Sequence, residues 1–243
     1  MTTVELFIPC FIDQLYPQTA FNTVKVLKKA GCEVIYNPSQ TCCGQPAFNA
    51  GFWDEAKTVG SKFLKDFSED RYIVSPSASC TGMVKTYYND LFTNTLVHNK
   101  CRAVQKNMYE LSSFLIHILE KTYFGAELAG RAVYHDSCSA LRECKIKAEP
   151  RKLLEQVHGL DLVEMKHSDT CCGFGGTFSI KFDSISSAMA QQKIDHAIAM
   201  DAEYIISTDS SCLLQLQSYI DKNNIPIQTM HLADVLAHGW GNV

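Results

Sequence analysis

The stretch Thr170-Cys171-Cys172-Gly173 repeats, letter for letter, the earlier stretch Thr41-Cys42-Cys43-Gly44. Thiolate is the ligand that zinc and iron–sulfur clusters take, so a paired-cysteine loop written twice poses a metal-binding question first. A lone cysteine precedes each pair and another follows it at nearly matching distances: Cys10 and Cys80 flank the first, Cys138 and Cys212 the second. The eight residues Cys10, Cys42, Cys43, Cys80, Cys138, Cys171, Cys172 and Cys212 thus form one frame in duplicate. A hydrophobic core does not require cysteine at the same points of two halves. Cys32, Cys101 and Cys144 have no counterpart and read as small buried hydrophobes.

Three chemistries compete for the frame. Disulfides are the weakest, because adjacent cysteines close only a strained ring and eleven cysteines is an odd number. A structural zinc site fits four thiolates per half, yet zinc sites draw their ligands from close CxxC pairs more often than from distant loops. An iron–sulfur cluster fits better, since thiolates on separate loops surround an object larger than one ion. The glycines of Cys171-Cys172-Gly173-Phe174-Gly175-Gly176 let the backbone approach and aim N–H groups at sulfur, and Gly44-Gln45-Pro46 is a poorer version of that loop.

Strands alternating with helices must carry these residues. Val4 to Ile8 reads as a buried strand delivering Cys10, followed by a helix through Phe21, Val24 and Leu27 and a second strand, Glu33 to Tyr36. A loop holds Thr41 to Pro46, a helix begins at Asp54, and the strand Tyr72-Ile73-Val74 leads to Cys80. Leu111, Phe114, Leu115, Ile118 and Leu119 keep the spacing of a core-facing helix. The plan then recurs. Strand Ala132 to Tyr134 leads to His135-Asp136-Ser137-Cys138, a helix surrounds Leu153 to Val157, a strand covers Leu160 to Met165, a loop covers Thr170 to Gly176, and a helix runs from about Ser184 to Met200. Tyr204-Ile205-Ile206-Ser207 ahead of Ser211-Cys212 matches Tyr72-Ile73-Val74-Ser75 ahead of Ser79-Cys80. Tyr109-Glu110-Leu111 is likewise echoed by Met230-His231-Leu232, each opening an apolar helix. This is an internal duplication, and it predicts an α/β chain of two tandem, pseudo-repeated, Rossmann-like parallel-sheet domains, residues 1–127 and 128–243. Loops at strand C-terminal ends gather at one sheet edge, so each quartet is expected to converge there.

The doubled frame resembles the cysteine-rich CCG domain family, which includes the B subunit of heterodisulfide reductase, the iron–sulfur subunit of glycolate oxidase and short two-repeat lactate-utilisation members without a ferredoxin domain. The resemblance covers essentially the whole chain. It implies two cysteine-rich domains binding one or two 4Fe-4S clusters, in an iron–sulfur subunit that relays electrons within a cytoplasmic complex oxidising L-lactate to pyruvate. Its partners there would be other lactate-utilisation proteins, iron–sulfur and accessory subunits. Heterodisulfide-reductase-like members end each frame in Cys-x-x-Cys, whereas here Cys80 is followed by Thr81-Gly82-Met83 and Cys212 by Leu213-Leu214-Gln215. Four thiolates per half suit an ordinary cubane. A heterodisulfide-type thiol–disulfide oxidoreductase and a zinc-stabilised assembly module are the alternatives.

Other residues carry weaker signals. His135-Asp136 could place a proton donor near the second quartet, though a strand-end histidine is more often a structural hydrogen-bond partner. Arg142 and Lys181 read as solvated surface charges before substrate-binding ones. Gly173-Phe174-Gly175-Gly176 lacks the strand–helix context of a nucleotide loop. No flavin or nicotinamide fingerprint occurs, and hydride removal from lactate needs such an acceptor, so a relay is expected rather than a complete dehydrogenase. A net charge of -4 with scattered lysines and arginines gives no footprint for nucleic acid. No basic leader precedes the first strand and no run is long and apolar enough to span a bilayer, so neither secretion nor direct membrane insertion is expected.

Overall fold

The computed structural model describes residues 1–93 and 95–240. The final residues of the expected second half, 241–243, lie outside the described residues. Two four-stranded parallel sheets are built on the same plan. The first contains β1 (Thr2–Leu6), β2 (Cys32–Tyr36), β3 (Tyr72–Ser75) and β4 (Met108–Glu110), in the order β2-β1-β3-β4. The second contains β5 (Glu127–Tyr134), β6 (His158–Val163), β7 (Tyr204–Ser207) and β8 (Gln228–His231), in the order β6-β5-β7-β8. The fold is a tandem α/β arrangement.

This strand order decides where chemistry can sit. The chain steps from β1 to β2 on one side and returns to place β3 on the other, which opens a crevice beyond the C-terminal ends of β1 and β3. Cys10 follows β1 and Cys80 follows β3; Cys138 follows β5 and Cys212 follows β7.

Each sheet has apolar packing of its own. Phe7, Phe63, Phe67, Ile73, Tyr88 and Phe92 gather on one face of the first sheet. Val133, Ala190, Ile194, Ile205 and Leu216 gather on the matching face of the second. A third cluster joins the halves, running from Val4, Leu6 and Val26 to Tyr134, Leu153 and Val235. Its polar rim is specific: Thr19 Oγ1 donates to Asp234 Oδ2 at 2.7 Å and Asn22 Nδ2 to Asp234 Oδ1 at 2.9 Å.

The structure departs from the sequence expectations in several places, among them the start of β5 at Glu127 and the helix Ala148–Leu154, which ends before Val157. The strands β4 and β8 were not anticipated, because runs of three and four residues are too short to display alternation. The strand expected at Leu160 to Met165 is shifted to His158–Val163. A short helix, Gln45–Asn49, begins inside the first paired-cysteine loop, with Pro46 in its first turn where proline's missing N–H costs nothing. The lone cysteines lie in the opening turns of helices, Cys10–Leu15, Ala78–Gly82, Cys138–Arg142 and Ser210–Lys222, and not in open loops. Ser77 and Ser137 cap two of these helices, accepting from the backbone N–H of Cys80 and Ala140.

Candidate metal centre

The paired-cysteine loops are built alike in both halves. Gly44 and Gly173 sit at φ 87° and φ 91°, left-handed backbone that side chains avoid. A Cβ at Gly173 would stand 2.5 Å from Ser186 O, and one at Gly44 would stand 3.1 Å from Ala56 O. The glycine therefore lets the loop press against the following helix. In that pose Gly44 N donates to Cys42 Sγ and Gly173 N to Cys171 Sγ, each at 3.4 Å.

The four cysteines of each half then come together on one cavity. Cys42 lies within side-chain hydrogen-bonding reach of Cys10 and of Cys43, and Cys43 in turn within reach of Cys80. Cys171 stands likewise between Cys138 and Cys172, and Cys172 next to Cys212. Donors converging on one sulfur stabilise its anion. Hydrogen bonds from Cys10 and Cys43, with the Gly44 amide, hold Cys42 down at about 3. Those from Cys138 and Cys172, with the Gly173 amide, hold Cys171 at about 2. The donating thiols Cys10, Cys43, Cys138 and Cys172 are pushed up by the same hydrogen bonds and by burial. For Cys212 the bond to Cys172 pulls the other way, and burial with the nearby Asp209 outweighs it.

All eight cysteines line a single cavity of about 400 Å³ between the halves. Phe11, Ile12, Phe174 and Ile180 contribute apolar wall, and Ser79, Asp209 and Ser211 a polar seam. All eleven cysteines are free thiols. Cys32 and Cys101 are buried away from the cavity, and half-buried Cys144 donates to Ala78 O at 3.5 Å.

His135 adds a ninth donor. It is 0% exposed and neither ring nitrogen has a partner. A ring nitrogen of His135, Cys172 Sγ and Cys212 Sγ all lie within 4.8 Å of one another. Burial first, then the Lys193 ammonium, lowers its pKa to about 3, so the imidazole is neutral and carries one N–H. Asp136 beside it is committed to structure: its carboxylate is gripped by Arg151 through two bonds, 2.8 and 2.9 Å long. Arg142 is exposed, though its charge reaches Cys138, and Lys181 is exposed.

A family profile described as a cysteine-rich domain, CCG, matches residues 4–85 and 132–217, one copy on each sheet. The chain belongs to the CCG cysteine-rich domain family. Among its relatives, lactate utilization protein A 2 of Bacillus cereus strain AH820 is 41% identical over 237 residues, covering 97% of this chain and 98% of the relative. Lactate utilization protein A of Geobacillus sp. strain WCH70 is 40% identical over 233 residues, covering 96% and 98%. A crystal structure of a hypothetical protein from Helicobacter pylori matches with a TM-score of 0.59 at 13% identity, covering 99% of this chain and 50% of the other, a likeness of fold.

Sequence reasoning missed several side chains in or behind this CCG cavity, Asp209 on its wall and the others behind it. Lys193 is 0% exposed and donates to His167 O at 2.5 Å and Ser168 O at 3.1 Å, beneath the second quartet. Ser186, Asp209 and Gln215 were also passed over. Aligning the two CCG copies would have flagged Lys193, Ser186 and Gln215, because each replaces an apolar residue of the first copy.

Proposed function

We propose that this chain is the iron–sulfur electron-relay subunit of a cytoplasmic assembly that oxidises L-lactate to pyruvate, acting with other lactate-utilisation proteins. Its kinship with proteins named for lactate utilization supports a role in lactate utilization. The observation that carries the finer reading is the gathering of eight thiols from two halves around one cavity. The duplicated units, 1–127 and 128–243, each supply one quartet: Cys10, Cys42, Cys43 and Cys80, and Cys138, Cys171, Cys172 and Cys212.

The donor set fits a cluster. All donors of the first quartet are thiols, the ligand such clusters take, and a glycine amide already points at a sulfur in each half. A tetrahedral zinc ion with Zn–S of about 2.3 Å draws its four thiolates to within about 4 Å of each other, whereas among the described residues the group of ligand atoms that all lie within 4.8 Å of one another is His135, Cys172 and Cys212, and not four sulfurs of either quartet. A bound 4Fe-4S cluster would supply one-electron exchange, and up to two can be held. The chain's own residues do the rest. The cysteines would hold the group, Gly44 and Gly173 donate to its thiolates, and Phe11 and Phe174 line the cavity with apolar surface. Lactate loses two electrons as a hydride, so hydride acceptance belongs to a partner carrying an organic cofactor.

Anaerobic purification with iron and sulfide analysis and low-temperature electron paramagnetic resonance tests this reading. Iron and acid-labile sulfide in equal amounts, with a cubane signal on reduction, is the expected result. Colourless, iron-free protein prepared without oxygen would sink it. One observation favours a second reading, heterodisulfide-type thiol–disulfide exchange: Cys42 Sγ and Cys171 Sγ each accept an N–H from the following glycine, a bond that favours the thiolate, the nucleophilic form. Disulfide turnover by the iron-free chain would decide for that alternative.

A further inference from the structure

The two halves set different side chains behind equivalent cysteine loops. Phe7 N donates to Val74 O at 2.9 Å and His135 N to Ile206 O at 2.8 Å, so the two residues hold the same place past the ends of β1 and β5. The helices Trp53–Asp66 and Asp183–Ile198 also correspond, since Gly44 abuts Ala56 as Gly173 abuts Ser186. Their buried positions align as Ala56, Gly60, Phe63 and Leu64 with Ser186, Ala190, Lys193 and Ile194. Phe63 therefore stands where Lys193 stands.

In the first half this layer is apolar: Phe7 and Phe63 pack edge to face with ring centroids 4.9 Å apart. In the second, polar residues stand at four of the matching positions. His135 and Lys193 are both fully buried. Gln215, placed after Cys212 as Met83 is after Cys80, donates to Ser186 Oγ at 2.8 Å, and Ser186 Oγ donates to Gly173 O at 2.8 Å. Four apolar residues have thus been exchanged together for polar ones. Burying a histidine with both ring nitrogens unpartnered costs stability unless something in the cavity takes the bond.

We propose that the second quartet holds the centre of higher reduction potential, because His135 and Lys193 present an N–H donor and an ammonium where the first quartet faces Phe7 and Phe63. The inference rests on the iron–sulfur reading. Hydrogen bonds to cluster sulfurs and nearby positive charge stabilise the reduced, more negative form. His135 faces Cys172 and Cys212 and acts through them as a positioning residue. Asp209, bonded to Ser79 beside Cys80 and to Ser211 beside Cys212, lies at the seam between the quartets; its charge acts on Cys212 and offsets part of the effect of His135 and Lys193. An electron lost by the first centre is gained by the second in the downhill direction.

A redox titration of anaerobically loaded protein followed by electron paramagnetic resonance tests this. The wild type is expected to show two one-electron steps, of which Cys171→Ser abolishes the upper and Cys42→Ser the lower. His135→Phe, which installs the first half's residue, is expected to lower the upper step by at least tenfold in equilibrium constant, 59 mV for one electron, and to leave the lower step in place. His135→Asn, which keeps an N–H donor, is expected to restore part of it. As a reciprocal variant, Phe7→His is expected to raise the lower step. Coincident steps, a single step, an upper step assigned to the first half, or a His135→Phe potential equal to wild type in iron-loaded protein would each overturn the inference alone. Protein that takes up no iron would overturn the iron–sulfur reading and the inference with it.

Discussion

Ser79 donates its backbone N–H to Asp209 Oδ2 at 2.9 Å, across the seam between the two halves. Ser79 Oγ reaches Asp209 Oδ1 at 3.3 Å, Ser211 Oγ reaches it at 2.8 Å, and Ala78 N donates to Thr208 O at 3.3 Å alongside. One buried carboxylate therefore ties the residue before Cys80 to the residue before Cys212 and fixes how the quartets face each other. Asp209→Ala strands these donors and is expected to destabilise the protein by about 1–3 kcal/mol, with Asp209→Asn losing less because it keeps an acceptor. Chemical denaturation checks this, and an Asp209→Ala curve that overlays wild type would contradict it.

Gly173→Ala is expected to be more damaging than Gly44→Ala. Both force a side chain into left-handed backbone, costing roughly 1–3 kcal/mol. Only at Gly173 does the new Cβ also fall 2.5 Å from a backbone carbonyl, against 3.1 Å at Gly44. Melting temperatures of the two variants, measured side by side, decide the order, and iron content should fall with them.

Single cysteine replacements should divide by half of the chain. Cys42→Ser and Cys171→Ser are each expected to remove about half of the bound iron, since each takes one of four thiolates from one quartet. Cys32→Ser and Cys101→Ser, whose sulfurs are buried away from the cavity, are expected to leave iron per chain at the wild-type value. Loss of iron in the Cys101 variant without unfolding would show that the frame has been drawn wrongly. Chelation of iron from wild type should also lower its melting temperature, because a group bound only by the folded state stabilises it.

Glu110 gives the protein a pH signature. It caps the helix Leu111–His117, accepting from the N–H groups of Ser112 and Ser113, while Oε1 is buried and unpaired. Burial raises its pKa from 4.5 to about 7, against the pull of the serine donors. Between those values the folded chain holds a proton that the unfolded chain has released, so this stabilisation is complete below about pH 4.5 and is lost as pH rises to 7. The loss is about 3 kcal/mol. His135 and His231, with pKa values lowered by burial, work in the opposite sense: unfolded imidazole takes up protons below 6.5 and the fold weakens as pH drops. The difference in stability between wild type and Glu110→Gln cancels the histidines. It is expected to move against wild type from pH 4.5 to 7, and a flat difference would refute the assignment.

Much of the architecture was legible in the chain. The echo of Tyr72-Ile73-Val74-Ser75 in Tyr204-Ile205-Ile206-Ser207 marked β3 and β7 as equivalent. The match of Tyr109-Glu110-Leu111 with Met230-His231-Leu232 marked two capping residues, and Glu110 and His231 each accept from the first turn of the helix that follows. The strands carrying those caps were not seen, because β4 and β8 are too short to show a period.

The residue types and spacing determined by themselves that four thiols of each half would be delivered past strand ends, since in a parallel sheet those ends share one edge. Only the tertiary structure decided that both edges open onto one cavity, because that depends on the shared cluster between β1, β5 and the helix Leu232–Leu236 and on the Ser79–Asp209 bond, contacts between residues remote in the chain. It also decided what stands behind each quartet. A lysine in a helix reads as surface, and Lys193 is buried because the two carbonyls that receive its ammonium come from a loop 25 and 26 residues away. Local sequence patterns record periodicity; they do not record the partner that a buried charge finds across space.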